Sequence, residues 1–320
     1  MKLRENRTRV IVTADDFGLS PGVDRGILEA FREGIVGSTA LLVNFPDVAD
    51  SVGRLRLEAG LEVGIHLNLT AGPPVLPASR VPSLVGSDGT FHSFSTFFAR
   101  VARSRIDWNE VALEWQAQFE RGIELGCSFT FITSHQHVHM LPQGTRICAM
   151  LARKFEVPSV RLANFGLSEM LWPPRLKALA LVPFAPMASA ILQRSGIVHN
   201  DATLEIPPRG LESAVKGVCG ALRRLGTGVH ELVCHPAYED ALLKARDTYV
   251  SGRHNELTVL QHPTLRGFLK MAGVQRTTFR EFAAVAAKHG IGRDALILIR
   301  GIPSSGIANS RATLNKLPMN

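Results

Sequence analysis

Residues 9–16 read RVIVTADD, an apolar run that ends in two adjacent carboxylates. The apolar part predicts a buried strand, and Pro21 to Gly34 predict the helix that follows, with Ser20 as its N-cap. Pro21 suits the first helical turn because it lacks an N–H, and Gly34 suits the C-terminal stop. A strand followed by a helix is the repeating unit of a parallel sheet. The two carboxylates then stand at the C-terminal end of the first strand.

The same alternation of a short apolar strand and a longer helix recurs along the chain. The further predicted strands are 39–43, 61–69, 129–133, 159–162 and 231–234, and the further predicted helices are 47–58, 107–125, 142–155, 212–225, 263–272 and 279–288. Parallel strands need crossover connections, and these connections are right-handed. About seven such units favour an α/β fold of the (β/α) barrel-like kind, with parallel strands surrounded by helices, over an open doubly wound sheet.

We expect one barrel domain over residues 1–292, because the strand and helix pattern continues to that point. Two segments depart from the pattern and are predicted to be inserted loops. The first, near 71–106, is rich in Pro, Gly and Ser, and the second, near 165–210, contains a helical stretch broken by prolines. Residues 293–320 are predicted to form an irregular C-terminal tail.

Charge and cysteine content narrow the class of protein. The 320 residues include 36 Lys and Arg against 28 Asp and Glu, a net charge of +8. The basic residues form no dense run, so nucleic-acid binding is not expected. The four cysteines are spread singly, without a CxxC pair, so a thiolate zinc site is not expected and reduced thiols suit a cytoplasmic protein.

Membrane insertion and secretion are not expected from this sequence. The N-terminal residues MKLRENRTRV are charged and lead directly into the first strand, without the apolar core of a signal peptide. The most apolar later stretch, 176–192, contains a lysine and two prolines and is shorter than the ~20 residues that span a bilayer. We therefore expect a cytoplasmic protein without a transmembrane segment, and the base rates of oligomers favour a homodimer.

Ionisable side chains stand at the C-terminal ends of five separate predicted strands. In chain order they are Asp15, Asp16, His66, His135, His137, His139, Arg161 and His235. In a parallel barrel these strand ends line one mouth, and active sites form there. Because an unpaired buried charge is costly, their coincidence favours a shared functional site.

Each of these residues also has a structural explanation when it is taken alone. Asp16 can be a turn residue, His66 a hydrogen-bonded core histidine, and Arg161 a salt-bridge partner packed under the site. The clustered histidines allow two geometries. An extended chain places His135, His137 and His139 on one face, whereas a helix brings the first and last together one turn apart. Either geometry lets two nitrogens approach one ion.

One carboxylate and two imidazoles, with positions left open to water, suit a catalytic divalent metal ion rather than a structural one. A metal held in this way lowers the pKa of its bound water to about 7 and polarises a carbonyl oxygen. The second carboxylate can act as general base and a nearby histidine as general acid for a leaving amine. This machinery hydrolyses an amide without a covalent intermediate. The sequence lacks GxSxG, Walker A, GxGxxG and HExxH spacings, so the corresponding enzyme classes have no support.

Five motifs, in order, resemble the YdjC-like carbohydrate deacetylases, a family that includes chitooligosaccharide deacetylase and a hopanoid-biosynthesis branch. They are TADDFGLS at 13–20, GILEAFREGIVGSTALLVN at 26–44, VGIHLNLTAGPPV at 63–75, TSHQHVHMLP at 133–142 and CHPAY at 234–238. The resemblance runs from about residue 9 to about residue 290. It implies a (β/α) barrel-like fold, one divalent metal ion, and hydrolysis of the N-acetyl group of an N-acetylated sugar to acetate and a free amine.

The resemblance also implies residue roles. The implied metal ligands are Asp16, His66 and His135. The implied catalytic residues are Asp15, His235 and Arg161. Asp15 would be the base, His235 would donate a proton to the leaving nitrogen or bind the substrate, and Arg161 would orient a carboxylate or the acetyl group. The two aspartate roles are exchangeable at this point. One departure concerns Gln136, which stands where the family often has the middle of three consecutive histidines.

Several alternatives stay open. Imidazole-rich ligation suits zinc, cobalt or nickel, whereas the resemblance also allows magnesium, which normally takes more oxygen ligands. A chitooligosaccharide, a glycolipid headgroup and an antibiotic sugar are all possible substrates. The other candidate functions are a metal-dependent phosphoesterase and a non-catalytic carbohydrate-binding protein, although two-metal phosphoesterases need more bridging carboxylates than these strand ends offer.

Overall fold

The computed structural model describes residues 7–165 and 181–289 of the chain. Its strands are β1 (Thr8–Phe17), β2 (Ser38–Leu41), β3 (Glu62–Leu67), β4 (Phe131–Ser134), β5 (Ser159–Val160), β6 (Ala202–Glu205), β7 (Gly228–Cys234) and β8 (Gln275–Thr277). They form one parallel sheet in the order β5-β4-β3-β2-β1-β7-β6, and β8 pairs with β1 beside this path.

The seven-strand path curls into a half-barrel. Its two edges are linked by isolated parallel bridges, which join Ser159 to Val198 and Phe165 to Thr203. The prediction of about seven parallel strands surrounded by helices is confirmed. Because all strands run in the same direction, their C-terminal ends lie together at one end of the barrel.

The described helices surround the sheet. They are α1 (Pro21–Glu33), α2 (Val48–Leu55), α3 (Phe94–Ala102), α4 (Trp108–Glu124), α5 (Pro142–Lys154), α6 (Ala185–Arg194), α7 (Leu211–Arg224), α8 (Ala241–Arg246), α9 (Arg253–Gln261), α10 (Pro263–Met271) and α11 (Phe279–Lys288). Short 3-10 turns occupy Ala78–Arg80, His135–Met140 and Val182–Phe184. No helix in these two ranges combines the length and the apolar character needed to cross a membrane.

Both predicted caps of α1 are present. The Ser20 hydroxyl accepts the N–H of Val23 at the start of α1, and Gly34 closes that helix by donating its N–H to the Ala30 carbonyl. At the start of α11, Thr278 and Glu281 cap each other's backbone N–H groups. These local signals place both helices where the sequence pattern predicts them.

The sequence pattern missed β6, β8 and the helices α3, α8 and α9. Strand β8 consists of three polar residues, and β6 is a four-residue strand in which only Ala202 and Leu204 are apolar, so neither has an apolar run. The insertion near 71–106 contains a 3-10 turn and α3 rather than only loop. Residues 166–180 of the second insertion and the predicted tail 293–320 lie outside the described residues.

The core of the barrel centres on β1, which pairs with β2, β7 and β8. Its residues from Val10 to Phe17 are all buried, including the two polar residues at its C-terminal end. Helices pack on the outer face and apolar side chains fill the interior, as in other parallel sheets that are covered on both faces. The barrel therefore provides a rigid frame for the side chains at the strand ends.

Candidate active site

Asp15 and Asp16 end β1 in an irregular turn. The pairing register between β1 and β2 shifts between Ala14 and Phe17, and Asp16 has a left-handed backbone with φ of 74°. Adjacent side chains of a regular strand point to opposite faces, whereas a bulge turns one of them. Both carboxyl groups consequently line the same cavity although each residue is only 1% exposed.

Asp16, His66 and His135 bring three potential metal-donor atoms together. The Oδ1 atom of Asp16 lies 2.9 Å from Nδ1 of His135 and 3.3 Å from Nε2 of His66. One ligand atom of each residue lies within 4.8 Å of the other two, and all three residues are buried. Among residues 7–165 and 181–289 this is the one group of three or more His, Cys, Asp or Glu side chains with such spacing.

Burial and neighbouring charges set the protonation of these donors. Burial opposes ionisation of Asp16, but Arg253 and His135 outweigh it and hold the pKa of Asp16 well below its usual range. Burial lowers the pKa of His66, which keeps its ring neutral at neutral pH. Burial also disfavours protonated His135, but the Asp16 carboxylate outweighs this effect and raises the pKa of His135. A cation bound here would therefore displace the proton that Asp16 and His135 share.

Asp15 is held by a buried arginine. Nη1 of Arg161 lies 2.5 Å from Oδ2 of Asp15, and Nη2 lies 2.9 Å from Oδ1, a two-point contact that fixes the carboxylate plane. Arg161 is 0% exposed, and its Nε and Nη2 also donate to Glu231 at 2.9 and 2.8 Å. Burial opposes ionisation of Asp15, but Arg161 outweighs it and lowers the pKa of Asp15 to about 2.

His235 stands on the cavity wall with Glu256 behind it. Its backbone N–H donates to Oε2 of Glu256 at 2.5 Å, and its ring Nδ1 lies 3.8 Å from the same oxygen. The other oxygen of Glu256 accepts the Tyr249 hydroxyl at 2.7 Å. The His235 side chain is 25% exposed. This arrangement leaves an accessible imidazole with a carboxylate on its far side, which suits proton transfer.

The clustered histidines divide into three environments. His135 belongs to the donor group, and His137 lines the cavity. His139 is buried and uses both ring nitrogens within the protein: Nε2 donates to the Arg161 carbonyl at 3.0 Å, and Nδ1 accepts the Ser134 hydroxyl at 2.7 Å. Burial holds the pKa of His139 well below its usual range, so the ring is neutral. His139 is therefore a structural residue.

The cavity at the strand ends has a volume of about 360 Å³. Asp15, Asp16, His66 and His135 line it together with His235, so five of the six predicted site residues meet there. The sixth, Arg161, is buried and contacts the cavity residue Asp15. These six residues come from the C-terminal ends of five different strands.

The family model for YdjC-like proteins matches residues 9–271, which include all six predicted site residues. The chain belongs to the YdjC-like protein family.

Several curated relatives align with most of this YdjC-like chain. Human carbohydrate deacetylase is 35% identical over 292 residues, which cover 84% of this chain and 89% of the human protein. Geobacillus stearothermophilus carbohydrate deacetylase is 34% identical over 275 residues and covers 85% of this chain and 97% of its own length. Chitooligosaccharide deacetylase of Yersinia pestis (strain Pestoides F) is 31% identical over 271 residues, 84% of this chain and 97% of that protein.

A solved structure shares the fold. It comes from Enterococcus faecalis V583 and is provisionally described as a cellobiose-phosphate cleavage protein. It is 26% identical in sequence, superposes with a TM-score of 0.69, and covers 86% of this chain and 99% of its own. The barrel found in this YdjC-like chain is thus also present in a crystal structure.

Three further residues of the YdjC-like site were not found from the sequence. Glu231 holds Arg161, and its signal was a carboxylate in the fully buried strand β7, directly before the apolar residues 232–234. Arg253 donates from Nη2 to Oδ2 of Asp16 at 2.7 Å, and it also pairs with Asp247. Arg253 and Glu256 lie on α9, a nine-residue helix with no clear apolar stripe, so the sequence offered no sign of their place in the site.

Proposed function

We propose that this protein is a metal-dependent hydrolase that removes the acetyl group from an N-acetylated amino sugar, in an oligosaccharide or a glycolipid headgroup. The observation that carries the proposal is the meeting of three metal donors, a separate ionised carboxylate and an accessible imidazole in one cavity. The names of the curated relatives, carbohydrate deacetylase and chitooligosaccharide deacetylase, supply the substrate class.

The donor set fits a divalent metal ion. One carboxylate oxygen and two imidazole nitrogens face one another, and burial favours the neutral, ligating form of His66. Two imidazoles suit zinc, cobalt or nickel better than magnesium, which prefers oxygen ligands. When bound, such an ion would lower the pKa of a water molecule and polarise the acetyl carbonyl.

Asp15 is the proposed general base. Its pKa of about 2 keeps it ionised at every pH near neutrality, and the two-point contact with Arg161 fixes its orientation. A carboxylate this acidic accepts a proton only from a water whose own pKa has been lowered. The base and the three metal donors therefore depend on one another, which explains why they lie side by side. Arg161 acts through Asp15 and is a positioning residue.

His235 is the proposed proton donor to the leaving nitrogen, because its ring is accessible and Glu256 lies behind it. Replacing His235 by Asn is expected to lower kcat for a sugar acetamide about 100-fold. The loss should shrink for p-nitrophenyl acetate, whose leaving group needs no proton. The matched control is His254→Asn, since His254 is an exposed histidine at the start of α9 that does not line the cavity. Equal losses on both substrates would remove His235 from proton transfer.

The cavity is poorly suited to a phosphoester. Its described lining includes five acidic side chains and a single arginine, namely Asp15, Asp16, Glu205, Asp247, Glu256 and Arg253. The guanidinium of Arg253 is already bound by Asp16 and Asp247. A phosphate group would meet repulsion here, whereas a neutral acetamide would not.

A substrate panel separates the candidate functions. Protein freed of metal by chelation and reloaded with zinc, cobalt, nickel or magnesium is assayed for acetate and phosphate release. The substrates are N-acetylated oligosaccharides, N-acetylated glycolipids and sugar phosphates. We expect acetate release that stops on chelation and returns on reloading. Phosphate release would favour the phosphoesterase, and sugar binding without turnover at any metal loading would favour a non-catalytic carbohydrate-binding protein.

A further inference from the structure

Gln136 and His137 have an unusual backbone directly after the metal-donor candidate His135. Their φ and ψ angles are 54° and 24° for Gln136 and 56° and 27° for His137. Both residues are therefore left-handed, a conformation that disfavours any residue with a Cβ atom. Such strain persists where the surrounding structure enforces it, and it concentrates at functional sites. Two strained residues in succession, beside a catalytic centre, point to a role for their side chains.

Both side chains line the cavity, and each has a buried polar atom without a hydrogen-bond partner among the described residues. These atoms are Oε1 of Gln136 and Nδ1 of His137. Nε2 of His137 lies 4.0 Å from a Glu205 carboxylate oxygen, and its ring packs 5.5 Å from the Phe165 ring. An imidazole nitrogen donates or accepts according to its tautomer, so Nδ1 of His137 can pair with a hydroxyl group in either sense.

A buried polar atom without a partner is costly, and a ligand that forms a hydrogen bond with it removes that cost. Two such atoms on adjacent residues call for a ligand with two neighbouring hydrogen-bonding groups. Gln136 and His137 follow His135 directly in the chain and line the same cavity. An amino sugar presents hydroxyl groups on the ring carbons beside its acetamide, whereas a simple alkyl acetamide does not.

We propose that Gln136 and His137 form a hydroxyl-binding subsite that makes hydrogen bonds with the sugar carrying the acetamide and so selects carbohydrate amides over other acetamides. The inference rests on the proposed function and names the selecting residues of the same site. A site built to bind hydroxyl groups discriminates strongly against an analogue that lacks them, because its polar atoms are then left unpaired.

The test compares a sugar with an acetamide whose ring carries no hydroxyl groups. Gln136→Met keeps the side-chain length without the acceptor, and His137→Phe keeps the ring without its nitrogens. For each variant we expect kcat/KM on N,N′-diacetylchitobiose to fall about tenfold. On N-acetylcyclohexylamine it should stay unchanged. Equal changes on both substrates, or no change on the sugar, would overturn the proposal.

A glycine substitution separates the strain from the side chain. Glycine adopts the left-handed conformation without strain, so Gln136→Gly should have a melting temperature no lower than that of the wild type. The variant also lacks the side-chain amide, so it should lose its preference for the sugar. The matched control is Glu156→Gly, because Glu156 is an exposed residue with φ of 56° after α5. This control should keep the sugar preference in full. A Gln136→Gly protein that also keeps it would refute the subsite.

Sugar binding distinguishes failure of the subsite from failure of the proposed function. Calorimetric titration with N,N′-diacetylchitobiose measures affinity in wild type and in Gln136→Met without any need for turnover. If wild type binds the sugar but releases no acetate, the proposed function fails, and a tenfold weaker affinity in Gln136→Met still supports the subsite. If Gln136→Met binds as tightly as wild type, or wild type does not bind the sugar, the subsite fails.

Discussion

Replacing Asp15 by Asn is expected to lower kcat for acetate release about 1000-fold, within the range of general-base contributions. The amide has the same shape and can still face Arg161, but it cannot take a proton from water. The three metal donors Asp16, His66 and His135 are unchanged, so the variant should bind a divalent ion as wild type does. Steady-state acetate release and calorimetric metal titration measure the two properties on the same preparation.

Asp16→Asn is the matched comparison, because it alters the neighbouring residue by the same chemical change. This variant is expected to lose metal affinity as well as activity, since Asp16 supplies the only carboxylate of the donor group. If instead Asp15→Asn lost the ion and Asp16→Asn kept it, the two aspartates would have exchanged roles. Full activity in Asp15→Asn would show that another group accepts the proton.

Replacing Arg161 by Met is expected to lower the free energy of unfolding by about 3–5 kcal/mol, because removal of one partner leaves buried charge uncompensated. Arg161 is the shared partner of Asp15 and Glu231, and all three are fully or almost fully buried. Activity should fall too, since Asp15 loses the contact that orients it. Chemical denaturation followed by circular dichroism measures the change in stability.

Two variants control this experiment. Lys154→Met breaks a pair with Glu120 whose atoms are 4.0 Å apart and whose side chains are 46% and 49% exposed, so it should change stability by less than ~0.5 kcal/mol. Adding Glu231→Gln to Arg161→Met should restore part of the stability, because less unpaired charge remains. If Arg161→Met were as stable as wild type, Arg161 would not be the residue that compensates the buried charges of Asp15 and Glu231.

The polar strand ends could be predicted from the sequence because a parallel barrel brings all of them to one end. The different roles of Asp15 and Asp16 could not be predicted. It depends on a bulge in β1 and on a left-handed backbone at Asp16, and a non-glycine residue gives no sequence signal for that conformation. The structure favours Asp16 as the metal donor, because its Oδ1 faces both imidazoles while Asp15 is bound by Arg161.

The supporting residues were harder to predict than the donors. Arg253 binds the second oxygen of Asp16, 237 residues away in the chain, and Glu256 lies behind His235, 21 residues away. Both belong to the short helix α9. Contacts of this kind are set by how α9 packs over the barrel mouth, and no periodicity or spacing records them. Strand β6 was missed for a related reason: its four residues pair with β7 without an apolar pattern of their own.

Anomalous X-ray scattering from crystals of the zinc-loaded protein tests the central claim most directly. The account predicts one strong peak, with bonds of about 2.0–2.2 Å to Asp16, His66 and His135. Asp15 should lie beside the ion without ligating it. Three results would contradict it: a peak bound by Asp15 and Glu231, a peak elsewhere in the protein, or no peak at full zinc loading.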